Sequence, residues 1–126
     1  MKRNMDLIRE LLLEIEMKHD GSGRVTDIRI NGKPQEEVVE HLFMLAEAGL
    51  IEGRNASHLQ GRAFLVQRMT WWGYEFLDGI RDPAIWAETK EGAKRVGSFS
   101  LEVVADIAKG IIKKKIADLS GVEIEL

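Results

Sequence analysis

The chain contains no cysteine. That absence removes disulfide frameworks, thiolate zinc sites, iron–sulfur clusters and cysteine nucleophiles together, and it fits a reducing compartment. Histidine is scarce as well. His19, His41 and His58 are scattered without ligand spacing, so neither a metal site nor a cofactor is expected. Positive charge is not in excess: the formal net charge is −3, whereas proteins that grip many phosphates usually present a basic domain. Only a local basic patch is compatible with that balance. Uninterrupted apolar runs are a few residues long, as at Leu11–Leu13 and Phe64–Val66, too short for a membrane span. The opening MKRNMDLIRE carries charge throughout and no apolar core of a signal peptide follows it, so a cytoplasmic protein is expected.

What is present is the composition of one packed domain: 126 residues, 44% hydrophobic and 31% charged. Met5, Ile8, Leu11, Leu12 and Ile15 fall at helical spacing, with Asn4 placed to cap the helix and Asp6 in its first turn. That helix should end near Lys18, where His19-Asp20-Gly21-Ser22-Gly23 supplies turn chemistry. Arg24 to Ile30 alternates polar and apolar and predicts a strand with Ile28 and Ile30 on one face. Pro34 suits the first position of a second helix, whose buried side is Val38, Leu42, Leu45 and Ala46 and whose end is Gly49.

Leu50 and Ile51 begin a strand, Glu52 to Gly61 reads as a hairpin tip, and Arg62 to Thr70 returns as the second strand. Thr70 can cap a helix on which Trp72, Phe76 and Ile80 repeat every four residues. Asp82-Pro83 starts another helix, ending near Gly97. Ser100 caps the last one, with Leu101, Val104, Ile107, Ala108, Ile111 and Ile112 as its stripe. Ser120-Gly121 ends that helix, and Val122 to Leu126 reads as a loose tail.

The stretch His41–Ile51 resembles the recognition-helix end of a winged helix, in which a helix stops at a glycine and runs into the first wing strand. Residues Arg68 to Leu77 resemble the second wing strand and the helix after it. More narrowly, the chain is similar to a family of small bacterial and phage proteins, the domain-of-unknown-function 2513 or YjcQ-like family. The similarity is carried by Met1–Arg9, His41–Ile51, Thr70–Asp78 and Arg81–Trp86, and spans roughly residues 1 to 119. It implies a winged-helix-like fold and a phage or prophage origin. It implies no activity and assigns no functional residue. A complete helix-turn-helix needs two helices joined by a tight turn before the wing, and the segment from Lys18 to Pro34 leaves no room for the second.

Candidate contacts divide by charge. Arg54, His58, Arg62 and Arg68 lie on the expected wing and could approach phosphates; the alternative is an ordinary charged hairpin edge. Glu36, Glu37 and Glu40, with Gln35, occupy the end of the second helix that would face the bases of a major groove. Carboxylates beside a polyanion are unfavourable there, so these acids point instead to a protein partner or to a solvated helix face. Lys109, Lys113, Lys114 and Lys115 form the densest basic run, suited to nucleic acid, to an acidic partner, or to the dipole of the last helix. Trp71, Trp72, Tyr74, Phe76 and Trp86 hold most of the aromatic content; they could stack bases, but at helical spacing they read as core or a dimer interface, with one of the adjacent, diverging Trp71 and Trp72 exposed or at an interface. Ser57 next to His58 has no orienting acid in view, and Gly21-Ser22-Gly23 lacks the context of a phosphate loop.

The expected protein is therefore α+β: a winged-helix-like unit (helix, strand, helix, two-stranded wing) over residues 1–81, a helical extension packed on it over 82–119, and a tail over 120–126. The expected role is a non-catalytic protein-interaction or regulatory module. The alternative is a DNA-binding transcriptional regulator that uses its basic wing as a dimer. A homodimer through the C-terminal helix is expected from the width of its apolar stripe.

Overall fold

A computed structural model describes residues 1–121; the tail expected at Val122–Leu126 lies outside the described residues. Among the described residues the architecture is mixed α+β, with five helices and one two-stranded antiparallel sheet. The chain forms two compact units, Met1–Leu77 and a second that begins at Asp78.

In the first unit, α1 (Met5–Lys18) starts where Asn4 accepts the Leu7 N–H at 3.2 Å. Its face of Leu7, Ile8, Leu11, Leu12 and Ile15 is buried. Helix α2 (Gln35–Glu47) begins one residue later than the proline rule suggests, with Pro34 as the capping residue in an extended conformation. Val38, His41, Leu42 and Leu45 are its buried residues. The chain leaves α2 through Gly49, whose φ of 77° is the left-handed conformation that glycine adopts without strain.

Strands β1 (Ile51–Asn55) and β2 (Phe64–Met69) pair antiparallel with a bulge between Glu52 and Gly53. The bulge explains why Val66 and Met69, three residues apart, are both buried, where strict alternation would separate them. Gly53 sits where a Cβ would collide with the Leu65 carbonyl and the Phe64 ring.

Two expectations are corrected. Arg24–Ile30 is not a strand: only Val25 bridges Val66, its N–H donating to the Val66 carbonyl at 2.8 Å. Asp27 breaks the extended path by adopting φ of 55°. Lys18 holds its carbonyl from α1 and Arg29 donates to its carboxylate at 2.7 Å, so the kink is fastened on both sides. Val25 and Ile28, rather than Ile28 and Ile30, are the residues this segment buries.

Second, Trp72 does not share the buried face of α3 (Trp71–Ile80). Gly73, Phe76, Leu77 and Ile80 are buried, while Trp72 is 42% exposed. The reason is Gly73, which presses so closely on the Leu50 carbonyl that a Cβ there would overlap it. That contact turns the bare position of the helix inward and both tryptophans outward.

In the second unit, Asp82 caps α4 (Pro83–Val96) by accepting from the Ala84 and Ile85 N–H groups at 2.8 and 3.0 Å. Pro83 takes the first helical position and Gly97 closes the helix at φ 82°. Ser100 caps α5 (Leu101–Ser120), accepting from Val103 at 3.2 Å. The two helices pack on each other, with Gly92 of α4 set close against Ile107 of α5. Among the described residues no helix is long and apolar enough to cross a membrane.

Candidate interaction surfaces

Of the hairpin residues Arg54, His58, Arg62 and Arg68, expected as possible phosphate contacts, two are held by carboxylates. Arg62 forms an ion pair with Glu40 of α2, and its guanidinium lies 4.2 Å above the Phe43 ring. Phe43 meets Phe64 edge to face at 5.0 Å, so an aromatic contact backs the pair. Two residues read from the sequence as belonging to opposite kinds of surface, an arginine for phosphate and a glutamate for a protein partner, are thus each other's partners.

Arg68 is engaged in the same way. Its Nε and Nη2 donate to the two carboxylate oxygens of Glu52 at 3.0 and 2.9 Å, the bidentate fork geometry, and its Nη1 reaches the Met69 carbonyl at 3.1 Å. This pair joins directly opposed residues of β1 and β2. Arg54 stands exposed on β1, and no ion pair among the described residues engages it. His58 is exposed at the hairpin tip, where its Nδ1 accepts the Gln60 N–H at 3.1 Å. Ser57 beside it exchanges hydrogen bonds with the Ala63 backbone at 3.1 and 3.3 Å, so hydroxyl and imidazole serve the turn separately.

The acids of α2 fare unequally. Glu37 lies 3.9 Å from Lys33, Glu40 is bound to Arg62, and Glu36 is exposed. The acidic face therefore shrinks to Glu36. Beside α2, Asp27 has its carboxyl held below the ordinary value of 3.8 by the hydrogen bond from Arg29 and by that residue's charge, and Asp20 is lowered by hydrogen bonds from Ser22. Both belong to the connection between α1 and α2 and keep its turns in shape. No group of metal-ligating side chains forms among the described residues.

The surface that sequence periodicity did not reveal is aromatic. Trp71 and Trp72 are 78% and 42% exposed at the start of α3. Their position is fixed by Thr70, whose hydroxyl accepts the Gly73 N–H at 3.0 Å and donates to the Gly49 carbonyl at 2.6 Å. The cap of α3 is thereby tied to the end of α2, and the tryptophans project from a rigid corner. Their adjacency is the legible signal: neighbouring helix positions diverge by about 100°, so one of the two is expected at the surface or an interface, and the structure exposes both.

Comparison with known proteins gives a family. A family model described as "Hypothetical protein (DUF2513)" matches residues 2–100. An uncharacterized protein of Haemophilus influenzae is 35% identical over 118 residues, which span 93% of this chain and 100% of that one. No solved structure matches.

Proposed function

Because the chain belongs to the DUF2513 family, for which the comparisons give no activity, we propose its role from its own surfaces: a non-catalytic protein-interaction module, acting as a regulatory adaptor of phage or prophage origin on a winged-helix-like frame. The observation that carries this reading is the exposed pair Trp71 and Trp72 on a capped, tethered helix end. Tryptophan is the residue type most enriched among those that dominate binding energy at protein interfaces, and a large rigid side chain loses little entropy when it docks. The frame is supported by the order α1, α2, β1, β2, α3 and by the glycine exit from α2 into the hairpin. It lacks a helix between α1 and α2, which sets it apart from a complete helix-turn-helix.

One observation favours the second reading, a DNA-binding regulator. Arg54 and His58 stand exposed on the same hairpin, and Arg24 is exposed on the segment that bridges β2. Against it, Arg62 and Arg68 are already neutralised by Glu40 and Glu52.

The deciding experiment pairs two measurements. Wild-type protein and a Trp71→Ala/Trp72→Ala variant, shown by circular dichroism to be folded, are used as bait in lysate of the source cell. A partner recovered by the wild type and lost by the variant is the expected result. Fluorescence anisotropy on mixed-sequence duplex DNA at low and near-physiological salt is the counterpart. Binding that falls steeply with salt and is abolished by Arg54→Glu would overturn the proposal in favour of the DNA reading.

A further inference from the structure

We propose that the C-terminal half of α5 is a second docking surface, one that receives an acidic amphipathic helix of a partner protein. Lys109, Lys113, Lys114 and Lys115 make no ion pair or hydrogen bond with any other described side chain. The helix dipole does not account for them either. Helix α5 continues to Ser120 before Gly121 closes it at φ 69°, its last turn holds no basic residue, and the dipole acts mainly within that turn. Lys109 and Lys113 are moreover like charges four residues apart, an arrangement that weakens a helix on its own. These cations lack a partner among the described side chains and lie beyond the reach of the helix dipole, so this face is able to take an anionic group.

The apolar residues beside them give that group a shape. Burial along α5 stops at Ala108: Val104, Ala105 and Ala108 are its buried residues, whereas Ile116 is 40% and Leu119 90% exposed. With 20 residues against the 14 of α4, α5 is longer by about 9 Å at 1.5 Å per residue. Ile112, Ile116 and Leu119 follow one another at i, i+4 and i+7, so they form one strip. The same periodicity sets Lys109 and Lys113 along one border of the strip and Lys115 along the other. An apolar strip bordered by cations with no ion pair among the described residues is complementary to a helix with an apolar seam bordered by carboxylates.

Other anions match one half of this surface only. Nucleic acid would neutralise the lysines but leave Ile116 and Leu119 in water. A bilayer surface would accept the strip, but three aliphatic residues with no aromatic between Lys109 and Leu119 are little for an interfacial helix to bury. A second copy of the chain would bring the same bordering lysines, Lys109, Lys113 and Lys115, against these.

The test uses the full chain and two fluorescein-labelled 18-residue peptides of identical Leu, Glu and Ala content. One places leucine at helical spacing, the other at alternate positions. The helical peptide should bind at least tenfold tighter than its isomer and weaken as salt rises. Its affinity should fall at least tenfold both for Ile116→Asp/Leu119→Asp and for Lys109→Glu/Lys113→Glu/Lys115→Glu, while Trp71→Ala leaves it unchanged. All these substitutions lie on exposed or half-exposed positions, and circular dichroism confirms that each variant is folded. Equal binding of the two peptides, or binding that survives lysine reversal, overturns the proposal. So does tighter binding to vesicles containing phosphatidylglycerol or to duplex DNA, and so does self-association in light scattering that Leu119→Asp abolishes, which would assign the strip to a second copy.

Discussion

The imidazole of His41 closes a hydrogen bond to a residue 37 positions earlier, its Nε2 accepting the backbone N–H of Asn4 at 2.9 Å. Its Nδ1 meets the Glu37 carbonyl at 2.8 Å. A nitrogen that accepts an N–H carries a lone pair, so the ring is neutral with its proton on Nδ1, and both ring atoms are satisfied although the residue is fully buried. Asn4 is also the cap of α1, so a side chain from the middle of α2 fixes where α1 begins.

Replacing His41 with alanine removes that acceptor, strands the Asn4 N–H and opens a cavity beside it. The loss should be about 2–4 kcal/mol, from an unpaired buried donor together with lost packing. Urea titration followed by circular dichroism reads it as a lower midpoint. Faster hydrogen exchange at Leu7 and Ile8 would locate the damage at the start of α1; an unchanged midpoint would show that the bond carries no stability.

Glycines separate into those whose place a side chain would overfill and those with room for one. A methyl group at Gly53 meets the Leu65 carbonyl and the Phe64 ring, and one at Gly73 meets the Leu50 carbonyl, both backbone contacts that cannot move aside freely. Gly53→Ala and Gly73→Ala should each cost about 1–3 kcal/mol, the range for overpacking. At Gly110, inside α5, a methyl group meets nothing within 4 Å. Gly110→Ala should therefore stabilise the protein by up to about 1 kcal/mol through helix propensity alone. Thermal melts of the three variants check both signs.

The same distinction shows what could be read from the sequence. Helix boundaries were legible because they are written locally: Asn4, Asp82 and Ser100 cap the helices they precede, and Gly49 and Gly97 close the ones they follow. Failures occur where one residue's position depends on a distant backbone. Arg24–Ile30 alternates like a strand, but Asp27 turns left-handed between Lys18 and Arg29, and neither partner's reach is visible in an alternation pattern. Trp72 belongs to an apolar repeat, yet the close approach of Gly73 to Leu50 rotates it outward. The wing arginines were recognisable as exposed cations. Their pairing was not, because Arg62 meets Glu40 across 22 residues of chain and Arg68 meets Glu52 across 16.

Asp27 offers a test by titration. The Arg29 hydrogen bond lowers its carboxyl below 3.8, aided by the charges of Arg29 and Lys18 and opposed by partial desolvation. A carboxyl lowered in the folded state favours folding above its unfolded value, and that contribution is lost as pH falls through the folded value. The carboxyl carbon signal of Asp27 should thus titrate below 3.8 in the wild type and return towards it in Arg29→Ala. Because the carboxylate lies in water, the effect belongs in the titration curve and not in the melting midpoint at neutral pH. Identical curves for the two proteins would show that Arg29 does not hold the kink.

The two arginine–glutamate pairs bear directly on function, because they set how many cations the hairpin offers beside the exposed Arg54. Glu40→Gln/Glu52→Gln releases Arg62 and Arg68 from their carboxylates, although Arg62 keeps its place over Phe43. Each arginine freed to meet a phosphate steepens the dependence of log affinity on log salt by up to about 0.9. The double variant should therefore gain nonspecific affinity for duplex DNA together with a slope steeper by up to about 2. Glu36→Gln/Glu47→Gln is the matched control, since it changes the net charge equally and releases no arginine. A gain confined to the first variant would show that the pairs hold the wing away from DNA. Equal gains in both would reduce the effect to net charge. A wild type that already binds with the steep slope would mean that Glu40 and Glu52 give up their arginines readily, and the hairpin would then be read as a nucleic-acid surface.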